Sequence, residues 1–121
     1  MNLNKMSYPA LKEGAYEATF TSHNVIENDK GGYLRVVMTL PNGREITQAY
    51  FENQLDYLTG RLREQTSFGD GIAPYEEILD YAVGKEIKFW VYYDLDKDGK
   101  NRFNLTYSEP KSDTPKEVEF A

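Results

Sequence analysis

From Tyr33 to Phe51 the chain reads YLRVVMTLPNGREITQAYF, two runs in which apolar and polar residues alternate about Pro41-Asn42-Gly43. A period of two marks a strand with one buried face, because a helix returns a residue to the same face only every three or four positions. Asn-Gly between two such runs is a strong hairpin signal. As a two-residue turn, Asn42-Gly43 sets Leu40 opposite Glu45, Val37 opposite Gln48, Arg35 opposite Tyr50 and Leu34 opposite Phe51. Leu34 and Val36 then share the buried face with Ala49 and Phe51, while Tyr33, Arg35, Val37, Gln48 and Tyr50 share the outer one. This assignment is conditional on the turn, since a one-residue slip exchanges the two faces.

The same period recurs elsewhere. Gly14 to Ile26 alternates Tyr16, Ala18 and Phe20 with Glu17, Thr19 and Thr21, a long first strand with His23 on its polar side. Glu27 to Gly32 is a turn whose glycines tolerate positive φ. Lys85 to Tyr93 alternates Ile87, Phe89, Val91 and Tyr93 with Lys88, Trp90 and Tyr92. Asn101 to Tyr107 puts Phe103, Leu105 and Tyr107 on one face. Between the third and fourth strands the period changes. Leu55, Leu58 and Leu62 recur at helical spacing, with Asn53 as N-cap and Asp56 three residues on. Ser67 to Gly71 breaks that helix, and Pro74 opens a short second one that ends before Gly84.

Three strands, a helical segment and two strands is the element order of the OB-fold. The expected class is mainly β: a five-stranded OB-fold Greek-key barrel with a helical segment between strands 3 and 4. A five-stranded sheet with a packed helix has the same order and stays open as the rival. One domain is expected over residues 1–107, followed by a flexible acidic C-terminal tail over 108–121, which is rich in Pro, Lys and Glu.

Composition narrows the function by exclusion. The chain has no cysteine, so disulfides, zinc–thiolate sites and thiol catalysis are ruled out. His23 is the only histidine, and no Ser-His-Asp pattern or phosphate-cradling glycine loop is present. The expectation is a non-catalytic protein without a cofactor. MNLNKMSYPALKEG carries no long apolar run and no stretch approaches a membrane span, which implies a soluble, cytoplasmic protein with no membrane partner. Ten Tyr, six Phe and one Trp are more rings than a 121-residue core holds, so some belong at the surface. The net charge of −6 weighs against phosphate contact. Its distribution matters more: residues 52–80 set Arg61 and Arg63 against seven acids, whereas the strand-rich residues 30–51 carry Lys30, Arg35 and Arg44 against Glu45 alone.

LKEGAYEATFTSHNV, KGGYLRVVMTLPNGREI with YF closing the third strand, FENQLDYLTGRLREQ and GKEIKFWVYYDLDKDGKNRFNLTY together resemble the small single-stranded DNA-binding proteins of bacteriophages and conjugative plasmids of Gram-positive bacteria. The resemblance covers roughly Leu11 to Tyr107 and rests on element order and scattered residues. It implies an OB-fold, largely sequence-independent binding of single-stranded DNA on the barrel face, and self-association, with a homo-oligomer, most simply a dimer, expected. Its context would be phage or plasmid DNA replication, recombination or transfer. RNA remains open as a ligand, and an OB-like protein-interaction module in such a complex is the alternative.

On that reading Tyr33 and Tyr50 would stack on bases, beside Gln48, with Arg35, Lys30 and Arg44 serving phosphates. The plainer reading of Arg35 beside tyrosines is cross-strand stabilisation of a solvated face. Lys88, Trp90 and Tyr92 form a second aromatic-basic face that suits bases, an interface or packing. Lys97, Lys100 and Arg102 lie around the loop between the fourth and fifth strands, where OB-folds also meet ligands. Asp94-x-Asp96-x-Asp98-Gly99 matches the opening of an EF-hand calcium loop, but Leu105 stands where the bidentate Glu is required. A polar hairpin explains the same residues. The terminal Glu117-Val118-Glu119-Phe120-Ala121 is similar to the acidic tips with which single-strand binders recruit replication proteins, but it is short and shares the tail with Lys111 and Lys116, and a frayed terminus is the plainer reading.

Overall fold

The computed structural model describes residues 1–110. Each alternating run is a strand: β1 (Gly14–Ile26), β2 (Tyr33–Thr39), β3 (Glu45–Tyr50), β4 (Glu86–Leu95) and β5 (Asn101–Thr106). A 3-10 turn (Glu52–Gln54), α1 (Leu55–Thr66) and α2 (Tyr75–Ala82) lie between β3 and β4. The tail expected from Ser108 falls outside the described residues from position 111 onward.

The strands form one antiparallel sheet in the order β3-β2-β1-β4-β5. β1 is long enough to serve two partners. Gly14 to Thr19 pair with β4, and Thr19 to Ile26 pair with β2. Sharing one strand this way curls the sheet into a half-barrel whose inner face, with α1 and α2, encloses Phe20, Val36, Met38, Leu58, Leu62, Ile87 and Phe89.

No backbone ladder joins the edges β3 and β5. Side chains from α1 hold the chain just past the end of β5 instead. The Gln65 amide accepts from the Lys88 N–H (2.6 Å) and donates to the carbonyls of Lys88 (2.7 Å) and Tyr107 (3.1 Å). It supplies the hydrogen bonds a strand residue would have made where β5 has ended. The Tyr57 hydroxyl accepts the Tyr107 N–H at 3.1 Å, and the hydroxyls of Tyr50 and Tyr107 meet inside at 2.6 Å.

Two one-residue offsets separate the structure from the sequence reading. The first is in the β2–β3 hairpin. The pairs are Leu34 with Tyr50, Arg35 with Ala49, Val36 with Gln48 and Val37 with Thr47. A two-residue Asn42-Gly43 turn would need residue 41 to donate its N–H to the carbonyl of Arg44, and proline has none. Leu40 makes that bond instead, at 2.8 Å, closing a three-residue loop with Gly43 at φ 91°. The faces exchange accordingly. Tyr50 turns inward and is only 7% exposed, Gln48 turns to the same side, and Ala49 and Phe51 are exposed.

The second offset is in β1. Phe20 pairs with Met38, but Ser22 pairs with Val37, so Thr21 is an extra residue in a bulge. The bulge reverses the alternation, and His23 lies on the core side opposite Val36 rather than on the polar side. Its Nε2 is 2.7 Å from Oδ1 of Asp80, tying β1 to α2. The helix entry also differs. Asn53 falls within the 3-10 turn and does not cap α1; the Gln54 carbonyl oxygen accepts the Phe51 N–H at 2.8 Å.

Candidate nucleic-acid interface

The outer face of the curled sheet carries Tyr33, Arg35, Val37 and Thr39 from β2, Glu45, Thr47 and Ala49 from β3, and Lys88, Trp90 and Tyr92 from β4. Arg35 is exposed, its cross-strand neighbours are Asn24 and Ala49, and it has no ion-pair partner among the described residues. Tyr33 is half-buried opposite Ile26. Trp90 stands between two small cross-strand neighbours, Ala15 and Thr106, with the Lys88 ammonium 5.4 Å from its ring centroid. Tyr92 follows two residues on, opposite Asn104. The face is mixed in charge, since Glu17 lies opposite Lys88.

The register removes two expected contacts from this face, and a hydrogen bond within the chain takes a third. Tyr50 is a core residue whose phenol is held well above the ordinary tyrosine range, chiefly by burial and then by Tyr107 beside it. Gln48 turns inward with it and donates to the carbonyl of Thr47. Arg44 is occupied within the chain: its Nη1 donates to the Pro9 carbonyl at 2.7 Å, and its guanidinium lies 5.1 Å from the Tyr8 ring centroid.

Of the basic loop residues, Lys30, Lys97 and Lys100 are exposed. The β1–β2 loop is shaped by Asn28, whose Oδ1 accepts from the N–H groups of Lys30 (2.8 Å) and Gly32 (3.1 Å). Gly32 sits at φ 97°, and a Cβ there would lie 2.4 Å from the Ile26 carbonyl oxygen, so only glycine closes this loop. Arg102 is not free for phosphate. It grips Asp94 in a bidentate pair (Nε to Oδ1 3.0 Å, Nη2 to Oδ2 2.8 Å), which holds the Asp94 carboxyl below its usual range and raises the guanidinium.

That pair also bears on calcium. Asp94 is taken by Arg102 and Asn104, and Asp96 Oδ1 accepts from the N–H groups of Asp98 (2.8 Å) and Lys100 (2.9 Å) to build the β4–β5 turn. No three acidic, histidine or cysteine side chains gather at a metal-holding distance among the described residues. The Asp94 and Asp96 side chains thus build the polar hairpin between β4 and β5.

Sequence reasoning missed a cleft at the open mouth of the half-barrel, about 570 Å³ in volume, between the β1–β2 loop and the first turns of α1 and α2. Tyr33, Tyr50, Tyr75, Glu52 and Glu76 line it over Leu34, Leu55 and Leu79. These residues come from three stretches far apart in the sequence, 33–34, 50–55 and 75–79, so no local motif announces them. The nearest signal was the excess of tyrosines over what the core needs.

Among the described residues no helix is long and apolar enough to cross a membrane. No protein-family model matches the chain, and comparison with curated proteins gives no match.

Proposed function

We propose that the chain is a non-catalytic, largely sequence-independent single-stranded DNA-binding protein of OB-like architecture, acting in phage or plasmid DNA replication, recombination or transfer. A first strand shared by both halves of a curled sheet, and helices between the third and fourth strands, support the OB-like reading. The observation that carries the function is the alignment of Trp90, Tyr92 and Lys88 on the outer face of β4, on the same sheet face as Tyr33 and Arg35. Stacking on an aromatic face tolerates any base, and the nearby cations meet the backbone. Tyr50 takes no part; Trp90 replaces it as the main stacking platform. Lys30, Lys97 and Lys100 are free to follow phosphates, whereas Arg102 and Arg44 serve the fold.

Fluorescence titration of Trp90 with an oligo-dT tests this. Quenching that weakens steeply as salt rises is expected. No binding at low salt removes the proposal, and tighter binding to oligo-U than to oligo-dT would reassign it to RNA.

A further inference from the structure

The cleft at the mouth of the half-barrel has a chemistry opposite to that of a phosphate-binding surface. No lysine or arginine lines it. Glu52 and Glu76 stand at its rim, exposed, and their carboxylates have no ion-pair partner among the described residues. Tyr33, Tyr50 and Tyr75 line it, and two of these phenols are fixed by their hydroxyls: Tyr50 on Tyr107, and Tyr75, which donates to Asp56 Oδ1 at 2.7 Å. His23, the one other titratable group there apart from these acids and phenols, is held by Asp80 at 2.7 Å. Aromatic residues beside unpaired carboxylates attract a cation, and the attraction strengthens as the cation loses water.

We propose that this cleft receives an arginine or lysine side chain of a partner protein, presented beside an apolar residue. The leucine floor selects between sources of positive charge. Leu34, Leu55 and Leu79 gain from an apolar neighbour of the cation. A free polyamine, charged every few carbons, would press a second ammonium onto that floor. A cavity of about 570 Å³ also holds more than one side chain. The site is independent of the nucleic-acid reading; Tyr33 borders both surfaces.

The test is amide-resolved NMR titration of the full chain with a capped pentapeptide carrying arginine between two leucines. A glutamate-centred peptide and spermidine are the comparison arms. The proposal expects shifts centred on Tyr33, Tyr75 and Leu79, with a dissociation constant below about 1 mM. Glu52→Gln with Glu76→Gln should weaken binding by about fivefold, while leaving the circular dichroism unchanged. Equal binding of the glutamate peptide, no effect of the paired substitution, or no shift at millimolar peptide overturns it. Spermidine binding as tightly as the arginine peptide makes the site one for a free polyamine. Shifts at these residues that grow with protein concentration alone make a second copy the occupant. Either result also overturns the proposal.

Discussion

The hydroxyls of Tyr50 and Tyr107 meet at 2.6 Å in the interior, one at the end of β3 and the other just past β5, joining the two sheet edges that no ladder joins. Replacing either residue by Phe strands the other hydroxyl in the core, at a cost of about 1–3 kcal/mol. The double Phe variant leaves no orphan and should cost less than the two single changes added together. Urea midpoints of the three variants check this, and strict additivity would show that the hydroxyls do not depend on each other.

The same pair gives an alkaline limit. Burial raises both phenols well above the ordinary range, so the folded state holds their protons more tightly than the unfolded chain. The pair's contribution is therefore fully present below the unfolded value of about 10, and is lost as pH climbs past it toward the raised folded values. Melting temperatures should fall above about pH 10, and the double Phe variant should lose less over the same range. Absorbance at 295 nm should show two tyrosines that ionise only on unfolding.

The hairpin register predicts a contrast between adjacent residues. Ala49 points outward and Tyr50 inward. Ala49→Lys should change stability by no more than about 0.5 kcal/mol. Tyr50→Lys buries an unpaired ammonium, and should cost several kcal/mol or prevent folding. Denaturation of the two variants reads this directly; the reverse order would restore the two-residue turn.

For single-stranded DNA, Trp90→Ala should reduce oligo-dT affinity by about 5- to 150-fold, the worth of one stacked base. Arg35→Ala should weaken all sequences alike and lower the slope of log affinity against log salt by about one. Tyr50→Phe, which keeps the buried ring, should leave affinity unchanged. A DNA affinity that follows Tyr50 and ignores Trp90 would reject this surface.

Much of the candidate face was legible from residue type and spacing. Lys88, Trp90 and Tyr92 share a face because β4 alternates without interruption, and Tyr33 and Arg35 lie where β2 alone would put them. What failed was the pairing of β2 with β3. One cue was present and outweighed by the Asn-Gly pair: Pro41 has no N–H to close a two-residue turn. The misplacement of Gln48 and Tyr50 follows from that single bond. Arg102 and Arg44 were misjudged for another reason. Exposure and charge can be read from a sequence, but a carboxylate or carbonyl already holding the guanidinium cannot.

Residue type and spacing alone laid down which segments are strands and which are helices, their order, and the excess of rings over core space. All of these follow from periods and residue types within a few neighbours. Long-range packing set the phase between segments: the extra residue at Thr21 that turns His23 inward, the register that buries Tyr50, the Gln65 amide at the end of β5, and the acidic cleft at the mouth of the half-barrel. Alternation says that two residues in one strand share a face. Which face that is depends on hydrogen bonds and packing between groups far apart along the chain, and those exist only once the chain has closed on itself.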